Sequence, residues 1–333
     1  MEKMRKKCRT LPVLLLLAAL LSTSVLAAAP RTLVPVGKTV GIRLESRGLM
    51  VVGFDREGAS AARDAGMKKG DVITRVEGRT VTDTACFRTL VADSDGGPLD
   101  VTVSRGGREV ELEIEPQKDE ACYRLGILVR DSIAGIGTVT FYDPATGVYG
   151  ALGHGVSDAE TMTLLPLREG QILPASVSGV RRGESGTPGV LRGKFDTSAV
   201  LGSVDDNTEH GIFGRAAGLA SADKAVPVAS AGEIRTGKVT ILANVSGDSV
   251  CAYEAEITRL FPLERESGRN MLLKITDERL LAATGGIVQG MSGSPILQDG
   301  RLIGAVTHVL VNNPTRGYGI FLENMLENCA IYQ

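Results

Sequence analysis

Tryptophan is absent from this 333-residue sequence, aromatics reach only 4%, and three histidines serve the whole chain. With 41 glycines against so few aromatics, the composition favours β-rich architecture with many tight turns over helical bundles. Positive charge is scarce too. The formal net charge is −2; residues 1–29 hold Lys3, Arg5, Lys6, Lys7, Arg9 and Glu2, and the remainder carries 32 basic against 38 acidic side chains. A nucleic-acid binder shows the opposite balance, so no nucleic-acid partner is expected. The sequence has no CxxC, HExxH, Walker-type loop or EF-hand loop, and therefore implies no metal and no cofactor. After residue 29 no apolar run is long enough to cross a bilayer. Cys86, Cys122, Cys251 and Cys329 are spaced too widely for a small disulfide scaffold, and free, buried thiols are the expectation. What is present is 43% hydrophobic residues over a length that suits two packed modules.

The N-terminus joins a basic stretch to the apolar run Leu11–Leu21 and the small residues Ala27, Ala28 and Ala29. That pattern is an export signal, so the chain is expected to work outside the cytoplasm, with residues 1–29 either cleaved or kept as a single-pass anchor.

Between residues 34 and 118 the apolar strand Leu49–Phe54 leads into a short Ala-rich helix ending at Gly66, then Met67-Lys68-Lys69-Gly70-Asp71-Val72-Ile73. Val76-Glu77-Gly78-Arg79-Thr80-Val81 reads as a tight hairpin, Asp83–Ala92 as a helix, and residues 99–114 as two alternating strands. AGMKKGDVI followed by VEGRTV resembles bacterial PDZ domains. Such modules bind an extended peptide as an added strand and hold its end on free amides, and the resemblance puts those amides at Gly41, Ile42 and Arg43.

From residue 123 to 333 short apolar strands alternate with turns, and two sets of roughly six strands would make two small barrels with a site at their junction. His154 ends an apolar strand between Gly153 and Gly155. Far downstream, Gly290-Met291-Ser292-Gly293-Ser294-Pro295 sets a serine in a glycine turn that exposes a hydroxyl and leaves backbone N–H groups free. A histidine followed by Gly-x-Ser-Gly-x-Pro is the order of chymotrypsin-like double β-barrels. Ser294 is a rival nucleophile, restricted by Pro295. His308 reads equally as a wall of a specificity pocket or as an ordinary strand residue, and His210 as structural.

The strings AGIGTVTFYDP, YGALGHGVSDAET, MLLKITDERLL, TGGIVQGMSGSPI and GAVTHVLVNNPTRGYG resemble the stage IV sporulation protein B family, PDZ-containing serine peptidases of endospore formers. The resemblance implies a mainly β fold with short helices, a PDZ domain preceding a chymotrypsin-like double β-barrel. It places the nucleophile on Ser292, its base on His154 and the triad acid on Asp277, with the amides of Gly290 and Ser292 as oxyanion hole. Asp277 equally reads as the cap of the helix at Glu278–Ala283, in which case Asp158 is the substitute acid. Members of the family act in the intermembrane space of the forespore. They cleave an inhibitory membrane protein of the complex that processes pro-sigma-K, and cleave themselves near the N-terminus with the PDZ domain recognising another copy. Here only Pro30–Leu33 separates the export segment from the PDZ start, which weakens the expectation of self-processing. A general envelope quality-control protease and a catalytically silent PDZ scaffold are the competing expectations.

Overall fold

The computed structural model describes residues 31–55, 60–119, 122–220 and 224–329; the export segment expected at residues 1–29 lies outside the described residues. Among the described residues no helix is long and apolar enough to cross a membrane.

The chain enters through β1 (Thr32–Pro35) and continues into β2 (Thr39–Phe54), a strand of 16 residues. The two halves of β2 serve different cores. Val40, Ile42 and Leu44 pack in one, whereas Leu49 and Val51 pack in another. Between them Gly48 bends the strand with φ +99, and a Cβ there would lie 2.4 Å from the Ile73 carbonyl oxygen, so only glycine fits.

Beyond Phe54 comes the smaller module: α1 (Ala61–Asp64), β3 (Val72–Val76), β4 (Arg79–Thr80), α2 (Thr84–Asp93), β5 (Leu99–Arg105) and β6 (Arg108–Ile114). Ser60 caps α1 through the Arg63 N–H and Asp83 caps α2 through the Cys86 N–H, which is why both helices begin there. In the glycine-punctuated loop before β3, Asp71 is buried and takes both the Arg105 guanidinium at 2.7 Å and the Lys68 N–H at 2.8 Å. A short hairpin of β7 (Gln117–Asp119) and β8 (Cys122–Arg124) follows. Then β9 (Ile127–Tyr142) returns along β2 for almost its whole length.

β9 carries the chain back into the first of two barrels. Its second half pairs with β10 (Val148–Ala151), and β2 pairs on its other side with β11 (Leu167–Arg181). β12 (Val190–Phe195) pairs with one end of β11 and β13 (Gly202–Val204) with the other. β14 (Asp206–Thr208) and β15 (Gly211–Arg215) form a hairpin against β10. The ring closes where Gly202 bridges Ala216 and the Asp205 N–H reaches the Phe213 carbonyl. β16 (Val226–Pro227) lies on β1. The second barrel is closed by β17 (Gly237–Ala243), β18 (Cys251–Leu260), β19 (Met271–Ile275), β22 (Arg316–Phe321), β21 (Arg301–Val309) and β20 (Pro295–Gln298). Between its strands sit α3 (Glu278–Thr284) and, after β22, α4 (Leu322–Glu327). Its core is aliphatic, with Ile241, Ile257, Leu273, Ile296 and Val306 fully enclosed; each contributes roughly 1.5–3 kcal/mol on removal from water.

Two expectations are corrected here. β1 and the first half of β2 are strands of the first barrel, and the core of the smaller module is built between the second half of β2 and β9. Gly41, Ile42 and Arg43 therefore cannot receive a peptide. They lie in mid-strand, paired to Ile136, Gly135 and Ala134 on one side and to Leu173, Ile172 and Gln171 on the other. The expectation of buried thiols is met at Cys329 alone of the four, since Cys86 is half-buried and Cys122 and Cys251 are exposed.

Candidate active site

The barrels meet at a cleft of about 760 Å³ whose walls include Ile42, Ile136, Leu152, His154, Gly290, Ser292, Thr307 and His308. The serine turn is pinned from the opposite barrel by β9. Thr138 gives its N–H to the Ser292 carbonyl at 3.0 Å and its hydroxyl to the Gly290 carbonyl at 2.8 Å; Thr140 gives its hydroxyl to the Gly293 carbonyl at 2.8 Å. Gly290 and Gly293 both take positive φ, and a Cβ on Gly293 would lie 2.0 Å from the Thr138 carbonyl oxygen. The turn thus owes its close approach to glycine. The Gly290 and Ser292 N–H groups are not taken by any backbone carbonyl among the described residues, which leaves two donors at one turn.

His154 comes to the cleft on a strained segment. Leu152 adopts φ +69, rare for a side chain of its size, and Gly153 at φ +71 passes so close to the second barrel that a Cβ would meet Thr307 Cγ2 at 2.9 Å. The His154 Nδ1–H donates to the Gly155 carbonyl at 2.9 Å. That bond fixes the tautomer and leaves Nε2 as the acceptor. Burial holds His154 below the usual histidine range, with the Gly155 carbonyl opposing it. Its ring centroid is 5.2 Å from that of His308. Burial, with His154 and Arg269 adding repulsion, pushes His308 down to about 4, and its Nδ1 is buried without a hydrogen-bond partner.

The Ser292 hydroxyl donates to the Thr307 carbonyl at 2.8 Å. The structure thus brings Ser292, His154, Gly290 and His308 to one cleft with the serine proton turned toward β21. Asp277 is not brought there. It is the N-cap of α3, accepting the N–H groups of Arg279 at 2.9 Å and Glu254 at 3.2 Å and the Arg279 guanidinium at 2.7 Å. That guanidinium, assisted by backbone N–H groups, holds its carboxyl well below the usual range. The expectation of Asp277 as a triad acid is corrected by this commitment to the helix end. Asp158 does border the cleft, but it is fully buried, bonded to the Glu160 and Thr161 N–H groups and 3.0 Å from Arg130 Nε. Ser294 is fully buried and its hydroxyl has no partner, so it does not present a nucleophile. His210 bonds the Arg265 carbonyl at 2.5 Å.

Thr138 and Thr140 escaped the sequence reading, although two hydroxyls at alternate positions of one strand necessarily face the same way.

A family model described as SpoIVB peptidase S55 matches residues 121–326, and a PDZ domain model matches residues 39–115. Among curated proteins, a putative zinc metalloprotease LL2128 of Lactococcus lactis is 35% identical over 103 residues, 29% of this chain and 24% of its own length. The serine protease Do-like HtrA of Lactobacillus helveticus is 31% identical over 86 residues, 25% of this chain and 20% of its own. The chain thus spans about a quarter or less of the length of the curated relatives it matches. Among solved structures, the active form of the Rv3671c protease from M. tuberculosis is 15% identical with a TM-score of 0.33, covering 60% of this chain and 74% of that one.

Proposed function

As a member of the SpoIVB peptidase S55 family the chain is a PDZ-containing serine peptidase, and we propose that Ser292 is its nucleophile and His154 its general base. The observation that carries this is the meeting of the Ser292 turn and a correctly tautomerised His154 in one cleft. Ser292 Oγ attacks a peptide carbonyl while His154 Nε2 takes its proton. The developing oxyanion is held by the Gly290 and Ser292 N–H groups, and His154 then returns the proton to the leaving amine. The Gly155 carbonyl does the tautomer-holding work that a carboxylate does in other serine peptidases.

The resting serine must first turn away from Thr307. A substrate strand laid along β21 gives its own N–H to the Thr307 carbonyl and so competes with the Ser292 hydroxyl for it. Latency between substrates follows from that exchange. We propose further that the enzyme is exported and acts on a protein at a membrane surface, an inhibitor within the pro-sigma-K processing complex, with self-association through the PDZ module, as the sequence resemblance implies. Co-reconstitution of the chain with such a membrane inhibitor in vesicles tests this role: cleavage that Ser292→Ala abolishes supports it, and an intact inhibitor beside an enzyme that reacts at Ser292 counts against it.

A second reading is favoured by one observation: the serine proton faces Thr307, and no carboxylate touches His154 among the described residues. In that reading the chain is a silent PDZ scaffold, and it does not react with serine-directed reagents under any condition.

A further inference from the structure

Between Ile127 and Gly137, β9 pairs with β2 on one side; among the described residues no strand takes its other edge. Thr138 points its N–H and carbonyl away from β2, toward Ser292 and Leu152. The ladder has no register shift from Ser132 to Thr138, so alternation turns the N–H and carbonyl groups of Ser132, Ala134 and Ile136 the same way. Side chains of Ile133 and Ile136 project from opposite faces of the strand, yet both line the catalytic cleft, which therefore meets the strand edge-on. Edge strands are normally guarded by charge, proline or a bulge, and Ser132-Ile133-Ala134-Gly135-Ile136-Gly137 has none of these. A Cβ added at Gly135 would meet nothing within 4 Å.

The ladder shifts register at Asp131, so the regular edge ends at Ser132, where the chain meets the PDZ module. Asp131 reaches the first turn of α2, taking the Thr84 N–H at 3.2 Å and its hydroxyl at 2.7 Å. Past the other end of the helix, Gly96 packs against the ring of Tyr123, just ahead of β9. Helix α2 thus flanks the first residues of β9, where Leu128 is 55% exposed.

We propose that the edge of β9 from Gly137 back to Ser132 is a docking track, occupied by the segment of an unfolded protein substrate that follows the scissile bond. The proposal rests on the peptidase reading. His154 returns its proton to the leaving amine, so the residues after the cut begin on the first-barrel side, where β9 lies. Paired antiparallel, as in every named strand pair of this fold, that segment runs from Ser292 toward the PDZ module. At about 3.3 Å per residue the track is about 20 Å long and reads roughly six residues. The substrate class is extended polypeptide with several residues beyond the cut. Recognition through the backbone makes it tolerant of sequence, and neither short C-terminal stubs nor folded segments engage it.

Two measurements on the full-length chain test this, with reduced, carboxymethylated α-lactalbumin as the unfolded probe. Hydrogen exchange at single-residue resolution on the Ser292→Ala variant needs no turnover. The amides of Ser132, Ala134 and Ile136 are expected to slow at least tenfold when the probe is saturating, while the inward-facing Ile133 and Gly135 amides hold steady. Unchanged exchange at these edge amides overturns the proposal whatever the enzyme cleaves. Mapping cuts in peptide digests of the probe by the wild-type chain gives the second readout, with cutting expected to drop at least tenfold once fewer than about five residues follow the bond. Efficient cutting close to C-termini overturns the track but leaves the peptidase reading standing; exchange protection without cutting at any length shows that the edge binds extended chain but overturns its assignment to the segment after a scissile bond.

Discussion

Replacing Thr140 with valine should slow the active site as well as destabilise the fold. Thr140 is fully buried and gives its hydroxyl to the Gly293 carbonyl at 2.8 Å, one residue past the nucleophile. Valine has nearly the same volume, so no cavity opens; what is lost is the donor, leaving a carbonyl without its partner at a cost of about 1–3 kcal/mol. Thr140→Ser keeps the donor and loses one methyl, about 1 kcal/mol. The Gly293 N–H stays on the Val306 carbonyl, so the turn remains attached to its own barrel while its tie to the other loosens. A shift of about 1 Å at a reacting group costs up to ~100-fold in rate, and roughly tenfold is expected here. The assay pairs urea unfolding followed by circular dichroism, since the chain has no Trp, with the second-order rate of fluorophosphonate labelling. Labelling should rank Thr140, then Ser, then Val. If Thr140→Val reacts within twofold of the unaltered chain while losing stability, the tether serves the fold alone and the positioning argument fails.

Gly293→Ala should abolish labelling and cost several kcal/mol, because its Cβ would meet backbone atoms at 2.0 and 2.5 Å; Gly300→Ala, also at positive φ but facing open space, should cost only ~1 kcal/mol in thermal unfolding. Asp277→Asn keeps a cap but removes the charge opposite the Arg279 guanidinium, so it should lower stability by at most about 1 kcal/mol and leave labelling within threefold; a loss of orders of magnitude would restore Asp277 to the catalytic group. Because burial holds His154 below the usual range, the acid limb of the labelling profile should lie below pH 6.5, and a limb above it would contradict the burial argument. His308 is pushed down to about 4, so between pH 6.5 and 4 the unfolded chain binds a proton that the folded chain does not. Stability should then fall as pH drops through that window, and His308→Phe should flatten this part of the curve measured by urea unfolding.

Local chemistry made much of this molecule legible. Gly66 stops the first PDZ helix and Asp83 starts the second, and Gly-Met-Ser-Gly-Ser-Pro announces the nucleophile turn because glycine is required on both sides of Ser292. The division of β2 between two cores was not legible. Val40, Ile42 and Leu44 alternate as Leu49 and Val51 do, and nothing in that alternation says that the two halves of β2 face different cores. The same limit explains Gly41–Arg43, whose motif resembles a peptide-binding loop but whose amides are claimed by two neighbouring strands. Asp277 carried two compatible roles in sequence, and only the Arg279 and Glu254 contacts distinguish them.

The central claim is that Ser292 is a nucleophile activated by His154. It is tested most directly by fluorophosphonate labelling of the full-length chain, with the modified residue mapped by mass spectrometry, beside Ser292→Ala, Ser294→Ala and His154→Ala. The account predicts modification at Ser292 alone, kept in Ser294→Ala and lost in His154→Ala. Modification at Ser294, or labelling that survives His154→Ala undiminished, would contradict it.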